Sequence, residues 1–372
     1  MKLPLSSSLM ILGVLAVLPG PCPASAQIKL GVFGPMTGDA AAYGQSMREA
    51  VEIAVKEQNA KGGVLGQQIA VLYGDDTGKP EQAVSVAKRL VTRDEVLVLL
   101  GSISSPASLA ASQVAQETET PQIVITSTAQ RITTQGNPWV FRSTIPDTAF
   151  AESLATFVAK KYPAKRKYAV IYVNDDFGKG GIDKFNAKAK TLGLTMVAEE
   201  KYARGDLDFT SQLLRIRSAN PDVLVEWSRY TEQALISKQR KQMGFEILHV
   251  AGDGTPKYLE LAADAAEGVH YPTDFAVATA KSAVGKELVR KVREEYKHDP
   301  DYVHAQAYDA VIATILALQA AGAPDKTRLR DALRKVEFDG ARGHFQFDQK
   351  GDPVHSAAMI VIKGGKEVDA NE

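Results

Sequence analysis

Small hydroxyl residues follow an apolar run in the first third of the sequence. The run ends at Leu100 and leads through residues 101–105 into Pro106, and proline is favoured at the first position of a helix. The pattern predicts that Ser105 is the N-cap residue, where free backbone N–H groups and the positive end of the helix dipole would attract a carboxylate. An ordinary capped helix that binds nothing is the alternative interpretation, since serine is among the commonest N-cap residues.

The next apolar run ends in three more hydroxyl residues, Thr126, Ser127 and Thr128. If the two runs are neighbouring strands of a parallel sheet, their carboxyl ends meet at one edge, which is where such sheets bind ligands. The three hydroxyls would then lie beside Ser105. This combination favours a site for a polar ligand group over a simple helix cap.

A carboxylate occupies a comparable position further along the chain. Asp253 lies between two glycines, directly after an apolar run at residues 247–251 that predicts a strand. At the carboxyl edge of a second sheet, this aspartate could pair with an ammonium group. A simple turn is the alternative interpretation, because Asp and Gly are standard turn residues.

Motifs for nucleotide, metal or nucleophilic chemistry are incomplete. Residues 252–257 begin the dinucleotide-binding pattern G-x-G-x-x-G but carry lysine at the third glycine position. The Gly-Lys pair at residues 78–79 lacks the first glycine of a phosphate-binding loop. The six histidines include no H-E-x-x-H motif, and the group between His298 and His304 is interpreted as a solvated helix start rather than a metal site. We therefore expect no catalytic residue, no cofactor and no bound metal.

The charge balance also narrows the possible partners. The chain has 44 Lys and Arg against 44 Asp and Glu, a formal net charge of zero, without a basic run or an acidic tail. Nucleic acids and anionic membrane surfaces are therefore not expected partners.

The first 26 residues have the pattern of a signal peptide, with Lys2 before an uninterrupted apolar run at residues 9–18 and an A-x-A cleavage site at residues 24–26. The run is about half as long as the roughly 20 residues that span a bilayer, which argues against a membrane anchor. Cleavage after Ala26 would remove Cys22, the only cysteine, and would exclude disulfides from the mature chain. A lipid-modified Cys22 is disfavoured because proline precedes it. We expect a periplasmic protein.

Strands and helices alternate along the chain that carries these candidate residues. Apolar runs predict buried strands, and apolar residues three or four positions apart predict the helices between them. Alternation of this kind predicts parallel sheets that are covered by helices on both faces. Strands are expected near residues 28–34, 69–73, 96–100 and 122–126 and again near 168–173, 194–198, 222–227 and 247–251.

The chain is too long for a single core, so two lobes are expected. We assign residues 27–145 and 276–346 to the first lobe, and residues 146–275 and 347–372 to the second. The segment beyond residue 272 is too rich in helices for an independent domain and should complete both lobes. Its predicted helices lie near residues 281–296, 303–321 and 326–335, and its strand-like segments near 343–347 and 357–362.

Several short motifs recur in an order and spacing that resemble a known family. They lie at residues 34–38, 43–44, 59–66, 75–80, 104–105, 176–178 and 265–269. Together they resemble the periplasmic leucine/isoleucine/valine-binding proteins, the type I solute-binding components of ABC transporters. The resemblance covers essentially the whole chain after residue 26. It implies an α/β fold of two Rossmann-like lobes with parallel sheets, joined by a hinge of several chain crossings.

The resemblance also implies roles for the candidate residues. Ser105 corresponds to the serine that holds the ligand carboxylate, and Thr126 and Thr128 correspond to strand-end positions around the amino and carboxylate groups. Asp253 corresponds to the acidic residue that pairs with the ammonium group.

Three aromatic residues match family positions as well. Tyr43 and Phe177 correspond to residues that close over the ligand side chain, and Tyr230 to a tyrosine of the second lobe. Tyr43 and Phe177 could instead be packing residues, because aromatic side chains are usually buried for packing. Well-known members of the family carry a disulfide near the positions of Thr77 and Ser104, which this chain lacks.

The favoured prediction is a monomeric two-lobed protein that closes on a small zwitterion. The ligand would be an amino acid, aliphatic or branched-chain, and the partner would be the membrane permease of an ABC transporter. Alternatives are a binder of an aromatic acid or amide for the same class of transporter, a ligand-sensing partner of a receptor, and an exported enzyme. The last is not favoured because no nucleophile–base pair or metal cluster is found in the sequence.

Overall fold

The computed structural model describes residues 27–371, which form two α/β lobes. The predicted signal peptide lies outside the described residues. The first lobe is built on a five-stranded parallel sheet in the order β2-β1-β3-β4-β5. Its strands are β1 (Ile28–Gly34), β2 (Ile69–Asp75), β3 (Val98–Leu100), β4 (Gln122–Val124) and β5 (Val140–Arg142).

Helices cover both faces of this sheet. Successive side chains of a strand point to opposite faces, so Leu30 and Val32 of β1 pack into the same apolar cluster as Met47 of α1, whereas Phe33 packs with Leu90 of α2. Burial on both faces explains why the strand is continuously apolar. The helices between these strands are α1 (Ala41–Ala60), α2 (Pro80–Thr92), α3 (Ser105–Glu117) and α4 (Arg131–Thr134).

The second lobe contains a seven-stranded sheet in the order β14-β13-β10-β9-β8-β6-β7. Its strands are β6 (Lys167–Val173), β7 (Thr195–Tyr202), β8 (Val223–Trp227), β9 (Leu248–Ala251), β10 (His270–Thr273), β13 (Ala358–Lys363) and β14 (Lys366–Asp369). Its helices are α5 (Asp147–Lys161), α6 (Asp176–Thr191), α7 (Thr210–Ser218), α8 (Tyr230–Gln242) and α9 (Pro256–Ala262).

One edge of the second sheet is antiparallel, although the sequence predicted parallel sheets. β13 runs antiparallel to β10 and forms a hairpin with β14. The hairpin turn consists of Gly364 and Gly365, both with positive φ. A two-residue turn of this kind reverses the chain within the sheet, whereas a parallel neighbour would need a long crossover.

The last helices pack against the first lobe. α10 (Ala283–Tyr296) and α11 (Tyr302–Ala321) contact α1, and α12 (Lys326–Leu333) contacts α11 and leads to the hairpin β11 (Glu337–Gly340) and β12 (Gly343–Gln346). Within residues 27–371, no single helix is both long and apolar enough to cross a bilayer, and α11 and α12 pass that test only as a pair bent by 114°.

Three connections join the two lobes, at residues 143–146, 274–282 and 347–357. Buried contacts of one arginine tie the first two connections together. The guanidinium of Arg342 lies 2.7 Å from Asp274 and 3.0 Å from Asp309 and also donates to the carbonyl of Ser143.

The helix that follows β3 starts differently from the prediction. The N-cap residue of α3 is Ser104, not Ser105, and Pro106 is the second helical residue. Proline fits anywhere in a first turn because the N–H it lacks has no partner inside the helix. Its presence therefore does not show which residue is the N-cap. β4 ends at Val124, and the hydroxyl residues at 126–128 therefore lie in a loop beyond the strand.

Candidate functional site

A buried cavity lies between the lobes, where the carboxyl ends of both sheets face each other. The first lobe contributes the residues after β3 and β4, and the second lobe contributes the residues after β9 and at the starts of α6 and α8. This is the crevice in which open α/β sheets bind ligands.

The wall from the first lobe presents hydroxyl groups at the start of α3. Ser104 and Ser105 both line the cavity, and the hydroxyl of Ser104 is buried without a hydrogen-bond partner among the described residues. The side chain of Thr128 also lines the cavity and lies close enough to the carboxyl group of Asp147 to affect the pKa of that acid. Buried polar atoms without a partner are costly, so the hydroxyl of Ser104 favours a polar ligand group at this wall.

The other hydroxyl groups of this wall form hydrogen bonds within the protein. Ser105 accepts a hydrogen bond from the backbone N–H of Ala129 over 3.3 Å. Thr126 donates to the amide oxygen of Gln306 over 2.9 Å, and its own oxygen stays able to accept. Ser127 donates to the carbonyl of Ile103 and contacts Ser108, so it holds the loop onto α3.

Asp253 presents the carboxylate on the opposite wall. Its two oxygens each accept a hydrogen bond of 2.6 Å, one from the hydroxyl of Tyr43 and the other from that of Tyr302, and the backbone N–H of Gly254 adds a third. Burial raises the pKa of Asp253, and these hydrogen bonds offset part of the increase. The same burial, with the nearby charge of Asp253, raises the pKa values of Tyr43 and Tyr302, which keeps both hydroxyls protonated as donors.

Apolar and aromatic side chains complete the cavity. Ile103 and Phe150 line it beside the hydroxyl wall, and Phe177 in the first turn of α6 lines it from the second lobe. The guanidinium of Arg229 lies 5.1 Å from the centre of the Phe177 ring. The cavity therefore combines a polar end with an apolar wall, as small-molecule sites commonly do.

Arg229 is a cation at the cavity. One of its Nη atoms donates to Asp175 over 2.8 Å, and the other is buried without a partner among the described residues. Burial lowers the pKa of Arg229, but the charge of Asp175 outweighs it and the net pKa is raised. Arg229 therefore stays charged.

Direct contacts between the lobes enclose the cavity. Besides the bond from Tyr43 to Asp253, the hydroxyl of Tyr230 accepts the backbone N–H of Ala42 over 3.2 Å. At the rim, one Nη and the Nε of Arg204 each donate to an oxygen of the Asp39 carboxylate, over 2.7 and 3.0 Å. These contacts place the protein in a closed arrangement.

A model of the periplasmic binding protein family matches residues 27–366 of the chain. The chain belongs to the periplasmic binding protein family. A relative from Brucella melitensis, Leu/Ile/Val-binding protein homolog 7, is 31% identical over 371 residues, which cover 94% of this chain and 92% of the relative. These findings confirm the resemblance that the sequence motifs predicted.

Two solved structures of periplasmic binding proteins show the same fold. The leucine-binding protein LivK of Thermotoga maritima has a TM-score of 0.87 at 30% identity, with 92% of this chain and 99% of that chain covered. LivJ of Streptococcus pneumoniae, in complex with isoleucine, has a TM-score of 0.86 at 28% identity, with 92% and 98% covered. The predicted fold class is thus confirmed, and family membership implies a location outside the cytoplasm.

The structure brings most of the predicted residues of this periplasmic binding protein to one cavity, and two of them play a different part there. Ser127 lines the cavity, but its hydroxyl is used inside the loop. Tyr230 packs on Tyr43, with ring centres 4.8 Å apart, and it bridges the lobes rather than lining the cavity. The predicted residues that line it are Ser105, Thr126, Ser127, Thr128, Asp253, Tyr43 and Phe177.

Sequence reasoning missed Tyr302 and Arg229. Tyr302 is the first residue of α11 and reaches Asp253 from a segment 49 positions away. No local pattern marks it, since a tyrosine at a helix start is usually a packing residue. Arg229 is the residue before α8 and follows the buried strand β8. Its position just after a predicted strand could have marked it as a candidate site residue, because ligands bind at the carboxyl ends of such strands.

Proposed function

We propose that the chain binds the zwitterion of an amino acid with an aliphatic side chain between its lobes and delivers it to the membrane permease of an ABC transporter. The observation that carries this proposal is the arrangement of opposite polarity across one buried cavity. The first turn of α3, with Ser104 and Ser105, suits a carboxylate, and the carboxylate of Asp253 on the other wall suits an ammonium group.

The apolar part of the cavity supports an aliphatic side chain. Ile103, Phe150 and Phe177 offer it contact surface, and burial of apolar surface favours a side chain such as that of leucine. The relatives agree with this choice, since one is named a Leu/Ile/Val-binding homolog and two solved structures are leucine-binding LivK and isoleucine-bound LivJ.

A second candidate ligand is an aromatic acid or amide. The unpartnered Nη atom of Arg229 beside Phe177 favours it, because a carboxylate or amide oxygen could accept there. Asp253 opposes a simple acid, since an anion would face a buried carboxylate without a cation between them.

The function needs no covalent step, so we infer that the chain is a binding protein and not an enzyme. We further infer that it works as a monomer and without nucleic acid. The hinge would lie at the three connections, with lobe boundaries near residues 145, 275 and 346. The buried contacts of Arg342 with Asp274 and Ser143 support this position, because they tie two connections together.

Titration calorimetry tests the proposal on protein that is unfolded and refolded to remove retained ligand. We expect saturable binding of leucine, isoleucine or valine, and none of benzoate. Asp253→Ala should weaken leucine binding by ~2–5 kcal/mol, about 30- to 5,000-fold, as expected when one partner of a buried charge pair is removed. Asp253→Asn removes the charge of this residue at nearly equal side-chain volume and should weaken leucine binding as well.

Asp264→Ala is the matched control, because its side chain is 85% exposed and pairs with Lys241 at the surface. It should bind leucine like the unchanged protein. Unchanged affinity in both Asp253 variants would remove this residue from the site. Binding of benzoate without any amino acid would replace the proposal with the second candidate.

A further inference from the structure

Two histidines and a glutamate, of which only His298 is exposed, converge in the first lobe outside the ligand cavity. Glu49 lies on α1, His304 in the first turn of α11, and His298 in the segment before α11. One oxygen of Glu49 lies 2.9 Å from Nε2 of His298 and 3.1 Å from Nε2 of His304. All three potential ligand atoms lie within 4.8 Å of one another.

The other nitrogen of each imidazole faces an oxygen acceptor. Nδ1 of His304 lies 2.8 Å from the carboxylate of Asp301, and Nδ1 of His298 lies 3.0 Å from the backbone carbonyl of Asp299. Nδ1 of His304 also lies 3.2 Å from the backbone N–H of Asp301. When the oxygen acceptors hold the proton on Nδ1, Nε2 of each ring has a lone pair for a shared partner. A metal-binding histidine is typically oriented by a carboxylate or carbonyl in this way.

The glutamate is oriented as well. Its second oxygen accepts a hydrogen bond of 2.8 Å from the amide of Gln45, which directs the first oxygen toward the two imidazoles. With neutral imidazoles, the cluster carries the charges of Glu49 and Asp301. A divalent cation would neutralise them.

We propose that Glu49, His298 and His304 bind a divalent transition-metal ion of the zinc type, with Asp301 as the residue that positions His304. A four-coordinate zinc with bonds of about 2.0–2.1 Å places neighbouring ligand atoms about 3.3 Å apart. The separations of 2.9 and 3.1 Å between Glu49 and the two Nε2 atoms would open by a few tenths of an ångström, and the two Nε2 atoms, which lie within 4.8 Å of each other, would adjust to the same spacing. The side chain of His298 is 41% exposed, so a water molecule can complete the coordination from the solvent side.

Without a metal, a proton takes its place. Burial lowers the pKa of His304, but the charges of Asp301 and Glu49 outweigh it and raise the pKa to about 9. A protonated His304 then bridges two carboxylates. His298 is not part of this bridge, yet its Nε2 lies 2.9 Å from the same oxygen of Glu49, as expected of a third ligand or of a hydrogen-bonded imidazole.

The ion would connect two helices that reach the ligand cavity. α1 carries Tyr43 and α11 carries Tyr302, and both tyrosines donate to Asp253. Binding at Glu49 and His304 would hold α1 against the start of α11. The metal would therefore raise the melting temperature of the whole chain, since a ligand that binds only the folded state stabilises it.

Zinc chloride titrated into tag-free, chelator-treated protein tests the proposal. We expect one saturable site by calorimetry and visible absorption bands of a four-coordinate ion when cobalt(II) replaces zinc. His298→Ala changes an exposed ligand and should keep the fold while it weakens zinc binding more than tenfold. Asp301→Asn should weaken zinc binding by roughly 10- to 100-fold, the usual effect of losing an orienting carboxylate.

His344→Ala is the matched control. This histidine is 53% exposed, lies near Glu337 and Asp339, and belongs to the hairpin β11–β12. It should leave zinc affinity unchanged. The proposal is overturned if the protein shows no saturable site at micromolar zinc, if His298→Ala binds zinc as tightly as the unchanged chain, or if His344→Ala abolishes binding equally.

Discussion

The carboxyl group of Asp147 is fully buried at the start of α5, and neither oxygen has a hydrogen-bond partner among the described residues. Burial raises its pKa to about 7, although the nearby side chain of Thr128 and the charge of Arg142 counteract part of the increase. At the residue scale, this group shows that the neighbourhood of the cavity tolerates unfavourable polar burial, as binding sites often do.

We predict that Asp147→Asn stabilises the protein at pH 8 and changes little near pH 4. An acid whose pKa is raised by folding adds stability below its unfolded pKa, and that stability is lost as the pH rises through the folded value of about 7. The amide cannot ionise, so the variant avoids this loss, which is worth up to about 4 kcal/mol. Urea unfolding at both pH values measures the difference.

Asp183→Asn is the control, because this aspartate is 57% exposed and pairs with Lys179 at the surface. Its effect should be small at both pH values. Equal effects of Asp147→Asn at pH 4 and pH 8 would show that Asp147 does not titrate as its burial indicates.

At the scale of elements, the hairpin β11–β12 is anchored by Arg342 next to its turn. The arginine and its partners Asp274 and Asp309 have side chains that are at most 1% exposed. The three residues belong to the hairpin, the second connection and α11. A buried network of this kind fixes the relative positions of elements, since its charges are satisfied only in one arrangement.

We predict that Arg342→Met destabilises the chain by about 3–5 kcal/mol, because it leaves two aspartates buried without their cation. Arg290→Met is the comparison, since Arg290 is 52% exposed and pairs with Glu287 and Glu294 on the surface of α10. That change should cost less than about 1 kcal/mol. Chemical denaturation measures both, and a similar small loss in the two variants would contradict a structural role for the buried network.

At the scale of the whole molecule, the closed arrangement depends on contacts between lobes that opening would break. Arg204 contacts Asp39 and also donates to the carbonyl of Gly78, so one side chain of the second lobe holds two segments of the first. A ligand shifts the balance toward closure only through contacts that the closed form alone contains. Contacts between the lobes act on the same balance.

We predict that Arg204→Ala weakens leucine binding about 3- to 10-fold and leaves the melting temperature of the ligand-free protein unchanged. The loss reflects a less favourable closed form and is small because the pair lies at the solvent-exposed rim. Arg215→Ala removes a comparable pair with Glu200 inside the second lobe and should bind leucine normally. Calorimetry gives the affinities, and solution scattering reports closure. If Arg204→Ala and Arg215→Ala weaken leucine binding equally, the contact of Arg204 at the rim does not contribute to closure.

The sequence by itself determined the local elements and the ends of strands that carry the site. Strands such as β1 are buried on both faces and are therefore continuously apolar. Helices such as α10 show apolar residues three or four positions apart, so both kinds of element could be predicted from short windows. Asp253 and Thr128 were predictable because a parallel sheet brings the carboxyl ends of its strands to one edge.

Only the tertiary structure decided which side chains meet. Glu49 and His304 are 255 positions apart, and Tyr43 and Asp253 are 210 apart. No local pattern encodes such pairs, since they depend on how α11 packs on α1 and on how far the lobes close. The same holds for the hydroxyl of Ser127, which the sequence placed at the site and which packing directed inward. The sequence thus shows which residue types are present at the cleft, but contacts between distant elements decide which of them meet.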